Sequence, residues 1–188
     1  MVETMTTTTP AAVTVVPVDS TVALTAAGKY QQIVDAVSAG TVVEQRFSSI
    51  EINTLIAGHP DFQLWREKLY VELNGDNADL KFNFPLGMIT EVMPSLKWIG
   101  LDVTGRHVNG RTVGTFSLKG DELLVKLSEL EFNGEKAGAE VLREINSGLA
   151  KKRVLDPRNQ KSEEFLEKID TIRVANGELL IKTRSQRT

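Results

Sequence analysis

The sequence predicts an α+β fold in which a curved antiparallel meander sheet packs against long helices. Three observations predict it. Between Leu69 and Phe132, apolar residues alternate with polar ones over several short segments, the period of strands with one buried face. Asn-Gly pairs at 74, 109, 133 and 176 punctuate those segments, and this dipeptide suits the positive φ of tight turns. Helical stripes stand before and after the strand-rich centre and do not alternate with it.

Residues 1–24 are rich in Thr, Val, Ala and Pro, with only Glu3 and Asp19 charged. They read as a flexible leader, a mobile arm with room for one stray strand around Val13 to Val16. Residues 25–184 form the expected single domain and 185–188 a tail. Tyr30, Ile33, Val34 and Val37 fall on one helical face, and Gly40 follows as a stop. A β-rich stretch, Thr41 to Phe47, leads to a capping box at Ser48–Glu51, with Phe47 and Ile52 placed to staple a helix from Ser49 to about Ala57. Gly58-His59-Pro60 breaks that helix, and Pro60 starts a further turn through Trp65.

Leu69, Val71 and Leu73 pair with Ala78, Leu80, Phe82 and Phe84 in a predicted hairpin across Asn74-Gly75. Trp98–Val108 and Arg111–Leu118 are expected to form the next hairpin, across Asn109-Gly110. Glu122–Phe132 follows the turn at Lys119-Gly120-Asp121. Its apolar phase slips between Leu127 and Leu130, which predicts a bulge at Ser128-Glu129. Asn133-Gly134 is expected to lead from strand to helix, from about Ala137 to Leu149, striped by Val141, Leu142, Ile145 and Leu149. Ser162 caps a short helix carrying Phe165, Leu166 and Ile169. The final hairpin pairs Thr171–Val174 with Glu178–Lys182. No internal repeat shows at a fixed period.

Composition removes much chemistry. The 188 residues are 41% hydrophobic and 25% charged, the balance of a globular domain. Without cysteine there are no disulfides, thiolate metal sites or cysteine nucleophiles. His59 and His107 are the only imidazoles, too few for a three-histidine metal site. A net charge of −3 argues against nucleic acid as a partner. Gly100, Gly105, Gly110 and Gly114 lack phosphate-loop spacing and read as strand bends or bulges. His107 could serve with Asp102 as a general base but reads more simply as a strand-end histidine with one ring nitrogen in water, and His59 as a cap partner at a helix C-terminus. Glu163-Glu164 and Asp121-Glu122 read as solvated charge. No enzyme and no cofactor is expected. The first basic residue is Lys29, and Pro10 and Pro17 interrupt the opening stretch, so no secretory signal is legible. The expectation is a cytoplasmic protein, or a cell-envelope or periplasmic one that has lost a leader or anchor.

Two features point beyond a plain core. Pro85 to Pro94, PLGMITEVMP, is an apolar connection between hairpins, where loops are normally polar. It must tuck under the fold, line a cavity or meet an apolar partner. Charge is also uneven: −2 over residues 1–28, −5 over 29–149 and +4 over 150–188. The basic final quarter either keeps the chain soluble or meets a membrane surface bearing anionic headgroups.

The stretch GKYQQIVDAVSAGTVVEQRFSSIEINTLIAG, the strand–turn–strand TGRHVNGRTVGTFSL, the ending LSELEFNG and the close IDTIRVANGELLIKTR together resemble a group of small bacterial envelope-associated domains. Those domains are similar to the tubular lipid-binding, or TULIP-like, group. The resemblance covers about residues 29 to 184. It implies a curved sheet wrapping a helix around an apolar groove, and it supplies no catalytic motif. Glu51-Ile52-Asn53 matches its helical signature, with a helix-to-backbone hydrogen bond as the plain role of Asn53. The N-terminal membrane helix common in that group has no counterpart here.

The resulting expectation is a non-enzymatic domain binding a lipid or other amphiphile in a groove between helix 137–149 and the sheet. Phe82, Phe84, Leu86, Met88, Ile89, Val92, Met93 and Trp98 are its candidate lining, with Lys151, Lys152 and Arg153 as a weaker headgroup site. The alternative is a structural or protein–protein interaction module whose apolar surface is closed core.

Overall fold

In the computed structural model, which describes residues 6–87, 104–119, 122–149 and 165–185, eight strands form one antiparallel sheet. Helix α1 (Ser20–Ala39) comes first, capped by Asp19, whose carboxylate accepts from the N–H groups of Thr21 and Val22. It begins inside the stretch read as leader, because Asp19 satisfies the first turn and the alanines that follow favour helix. Gly40 ends it with φ 65°.

Strand β1 (Glu44–Ser48) runs into α2 (Ser49–Gly58), and the capping box is complete in both directions. Lys29 of α1 pairs with Glu51 at 2.6 Å. Burial pushes the Glu51 carboxyl up, but the bonds from Lys29 and Ser48 outweigh it and hold it below its ordinary range. A 3₁₀ helix (Pro60–Trp65) leads to β2 (Leu69–Asn74) and β3 (Asn77–Pro85). Then come β4 (His107–Lys119), β5 (Glu122–Phe132), β6 (Glu135–Lys136), α3 (Ala139–Leu149), β7 (Ile169–Ala175) and β8 (Glu178–Thr183).

An antiparallel meander runs from β2 to β6, with β4 one continuous strand and β6 an unexpected addition. Strand β7 departs from it and returns to β4, because β4 is long enough to serve two partners on one edge. Residues 107–114 pair with β3, and Ser117–Lys119 pair with β7. Strand β8 pairs with β7 and β1 with β8, so the two hairpins β2–β3 and β7–β8 hang from one side of β4. Their tips meet where Gly177 N–H donates to Gly75 O at 2.7 Å. Helix α2 bridges them: Ile56 packs with Val71, Leu73 and Ala78 of one hairpin and Val174 of the other. Against the far hairpin, Ala26, Ile33 and Val37 of α1 meet Phe47, Leu55, Leu118 and Ile169. Each such large aliphatic side chain contributes about 1.5–3 kcal/mol on burial.

The helices are also tied to strand edges by asparagine amides. Asn53 of α2 accepts from Val71 N–H at 2.9 Å and donates to Val71 O at 2.6 Å. Ser49 Oγ accepts from Leu73 N–H one step along. Asn146 of α3 does the same for β5, accepting from Leu127 N–H at 2.8 Å and donating to Leu127 O at 2.9 Å.

Several expectations need correction. Asn109-Gly110 is no turn but the interior of β4, and residues 104–105 form a turn where a strand was expected. Residues 98–103 lie outside the described residues. Asn133-Gly134 instead closes a tight hairpin onto β6, with φ 50° and 85°. The bulge is present: Val113 pairs with Glu129 and Gly114 with Leu127, leaving Ser128 over. Ile169 opens a strand and does not belong to the preceding helical turn. The leader segment 6–11 is hydrogen-bonded to β3 and β4, so Asn83, placed on a wet face by alternation, and Asn109, placed in a turn, are only 8% and 9% exposed.

Replacing Asn53 with Ala leaves the Val71 edge groups without their partner. A loss of about 2–3 kcal/mol in urea unfolding is expected, with about 1 kcal/mol for Asn146→Ala, whose site is less buried.

Candidate functional site

The two hairpin roots are built alike, a correspondence that no fixed period in the sequence exposes. Trp65-Arg66-Glu67-Lys68-Leu69 matches Phe165-Leu166-Glu167-Lys168-Ile169. In each, the lysine N–H donates to the aromatic residue's carbonyl, at 3.0 and 3.1 Å. In each, the lysine carbonyl accepts from the returning strand, from Asn83 N–H at 2.9 Å and Arg184 N–H at 2.8 Å. Leu69 then pairs with Phe82, and Ile169 with Thr183.

The two roots are finished differently. Ile169 and Thr183 are 0% exposed beneath α1. The Thr183 hydroxyl donates to Thr41 O and accepts from Val43 N–H, both at 2.7 Å. At the other root Leu69, Phe82, Phe84 and Trp65 are half-buried, and no described helix occupies the place that α1 takes opposite.

Aromatic rings form this second root. Phe82 and Phe84 stack with centroids 5.1 Å apart and planes 10° apart, and Trp65 meets Phe84 edge-on at 5.5 Å. Such pairs add about 0.5–1.5 kcal/mol beyond their buried area. Gly110 lies opposite Phe82 and makes the arrangement possible: a Cβ there would stand 2.6 Å from Phe82 Cζ and 2.6 Å from Glu131 O. Trp65 is delivered by the 3₁₀ helix, which α1 anchors. Tyr30 donates to Asp61 Oδ2 at 2.9 Å, and its ring lies 4.9 Å from that of His59 and 5.3 Å from that of Phe62. Burial first, then the hydrogen bond and negative charge of Asp61, push the Tyr30 phenol up to about 12. His59 caps as expected, its N–H donating to Leu55 O and its Nδ1 accepting from Asp61 N–H.

Of the candidate lining, Phe82 and Phe84 come together here. Leu86, 5% exposed, lies just beyond β3 with its N–H donating to Arg106 O. Met88, Ile89, Val92, Met93 and Trp98 lie outside the described residues, as do Lys151, Lys152 and Arg153. Trp65, Leu69 and Gly110 were missed. The i, i+2 relation of Phe82 and Phe84 was the signal for their shared face, but nothing local links them to Trp65.

The groove expected between helix 137–149 and the sheet falls largely on residues outside the described ones. The gap beside the start of α3 is about 100 Å³, bordered by Arg111, Glu129, Glu131 and Lys136, room for a few waters only. A larger depression of about 670 Å³ lies beside the leader, between Ala11–Val13 and the polar row Lys81, Arg111 and Glu131. Its Arg111 is engaged by Asp79 at 2.7 Å and by Glu129 at 3.1 Å, and the Asp79 bonds foremost raise its pKa further. The buried Nδ1 of His107 has no hydrogen-bond partner, so no carboxylate engages that nitrogen. Among the described residues no group of three His, Asp or Glu side chains could hold a metal, and no helix is long and apolar enough to cross a membrane. No protein-family model, curated protein or solved structure matches the chain.

Gly110→Ala should cost about 2 kcal/mol in chemical denaturation, since the Glu131 carbonyl is main chain and cannot swing aside. The raised Tyr30 pKa favours the folded state below pH 10 and ceases to do so as pH rises towards 12. The melting-temperature advantage of the parent over Tyr30→Phe should therefore shrink across that interval.

Proposed function

We propose that the chain is a non-enzymatic binding domain that takes the acyl chain of a lipid or similar amphiphile at the aromatic root of β2–β3, in the manner of a TULIP-like domain. The observation that carries this reading is the inequality of the two roots among the described residues: α1 roofs one and buries Ile169 and Thr183, whereas their counterparts Leu69 and Phe82 stay half-buried at the other. Trp65, Phe82 and Phe84 offer flat apolar surface, and the apolar stretch 85–94 starts at the end of β3. Burying an acyl chain yields about 0.8 kcal/mol per CH₂, so a short contact already gives useful affinity. In this reading Lys151, Lys152 and Arg153 supply charge for an anionic headgroup, and the working location is an envelope or other membrane surface.

Native mass spectrometry of gently purified chain, with displacement of a fluorescent fatty acid, tests the reading. Co-purified lipid or saturable fatty-acid binding is expected. Phe84→Ala should weaken binding about tenfold, the 1.4 kcal/mol of one lost aromatic contact. Phe165→Ala, at the roofed root, should lower stability and leave affinity unchanged. A lipid-free monomer that does not bind the probe overturns the proposal, and a lipid-free dimer favours an interaction module.

A further inference from the structure

Residues 6–11 lie against the foot of β3 and β4, held largely by their main chain. Thr7 and His107 exchange both backbone bonds, at 2.9 and 2.7 Å. Asn109 then stands in for a peptide group: Oδ1 accepts from Ala11 N–H at 2.9 Å, and Nδ2 donates to Thr9 O at 3.0 Å. Asn83 Nδ2 donates to Ala11 O at 2.6 Å. The Thr6 hydroxyl adds a side-chain contact, accepting from Arg106 Nε at 2.9 Å. Only Thr7 pairs in the manner of an added strand and the chain bends at residues 8 and 9, but a cleft that reads main-chain atoms depends little on which side chains the guest carries.

Beyond the gripped segment the chain is slack. From residue 12 to residue 18 no helix, strand or isolated bridge forms, and Val15 and Val18 stand 55% and 51% exposed. Seven residues reach at most about 25 Å, and Pro17 keeps part of the stretch extended. The cleft makes the same bonds to its own leader as to the leader of another copy. Only effective concentration favours the former, and for a short flexible connection that is about millimolar.

We infer that the cleft formed by Asn83, His107 and Asn109 is a docking site for a leader segment, and that at high concentration two copies of the chain fill each other's clefts with residues 6–11, giving a two-fold exchanged dimer. The inference rests on the leader contacts alone and is independent of amphiphile binding.

The chain has no cysteine, so introduced thiols report without competition. Thr7 and His107 form a backbone-bonded pair, a spacing that a disulfide can bridge. In the full chain carrying Thr7→Cys and His107→Cys, oxidation at about 10 μM should give an intramolecular disulfide. Equilibration at about 1 mM before dilution and oxidation should raise the cross-linked dimer at least fivefold, since that concentration rivals the intramolecular one. Chains carrying only Thr7→Cys, mixed at about 1 mM with chains carrying only His107→Cys and then diluted and oxidised, should yield the disulfide joining the two variants in clear excess over either homodimer, an excess that random thiol collision does not give. Intramolecular product alone at both concentrations, or no excess of the joined heterodimer, overturns the inference. Should the substituted chains fail to fold by circular dichroism, light scattering on the unmodified chain at the same concentrations decides it: a mass that stays monomeric overturns the inference, and one that rises towards twice that value supports it.

Discussion

An open sheet leaves N–H and C=O groups along its outer strands, and a buried one without a partner costs about 1–3 kcal/mol. In this protein asparagine amides meet that demand, each acting as a peptide group turned out from a neighbouring element. Asn53 completes the edge of β2 and thereby seats α2. Asn146 completes part of the edge of β5 and seats α3. Asn83 and Asn109 complete the leader. The helices are positioned by these bonds as much as by apolar packing, since an apolar surface alone would let a helix slide along the strand.

With the edges fixed, the length of β4 sets the architecture. A strand long enough to pair with two hairpins in succession places both on one side, and α2 fills the space between them. The hairpins share root hydrogen bonds but, among the described residues, not a roof, and Leu69 and Phe82 stay half-buried where their counterparts Ile169 and Thr183 are closed off. The same element, α1, both closes the root of β7–β8 and, through Tyr30, holds the 3₁₀ helix that delivers Trp65 to the root of β2–β3.

Elements governed by neighbours in sequence were legible in advance. The capping box at Ser48 and Glu51, the stripe on α1, the hairpins at 74 and 176 and the bulge at Ser128 all follow from local chemistry. The misreadings share a different cause. Asn109-Gly110 has the composition of a turn, yet Gly110 is needed because Phe82 lies across it, and Asn109 because the leader needs a partner, both long-range requirements. The leader looked free for the same reason: its partners lie nearly a hundred residues away, on β4. Of the candidate site, Phe82 and Phe84 could be read from alternation, whereas Trp65 and the paired roots could not. The roots align over five positions, two of them identical, and share a hydrogen-bond pattern, too short a likeness to stand out from one sequence.

The pairing of β1 with β8 has a consequence for how the chain is made. Residues 44–48 find their partners only at 178–182, so β1 waits until β8 has left the ribosome. The meander β2–β5 needs only local closures and can form while synthesis continues. Until β7 and β8 emerge, α1 has no Ile169 to cover, and its apolar stripe of Ala26, Ile33 and Val37 stays open to whatever binds exposed helices in the cell. Strands β7 and β8 thus act as a completion signal for the fold, since α1 can settle only once they have arrived.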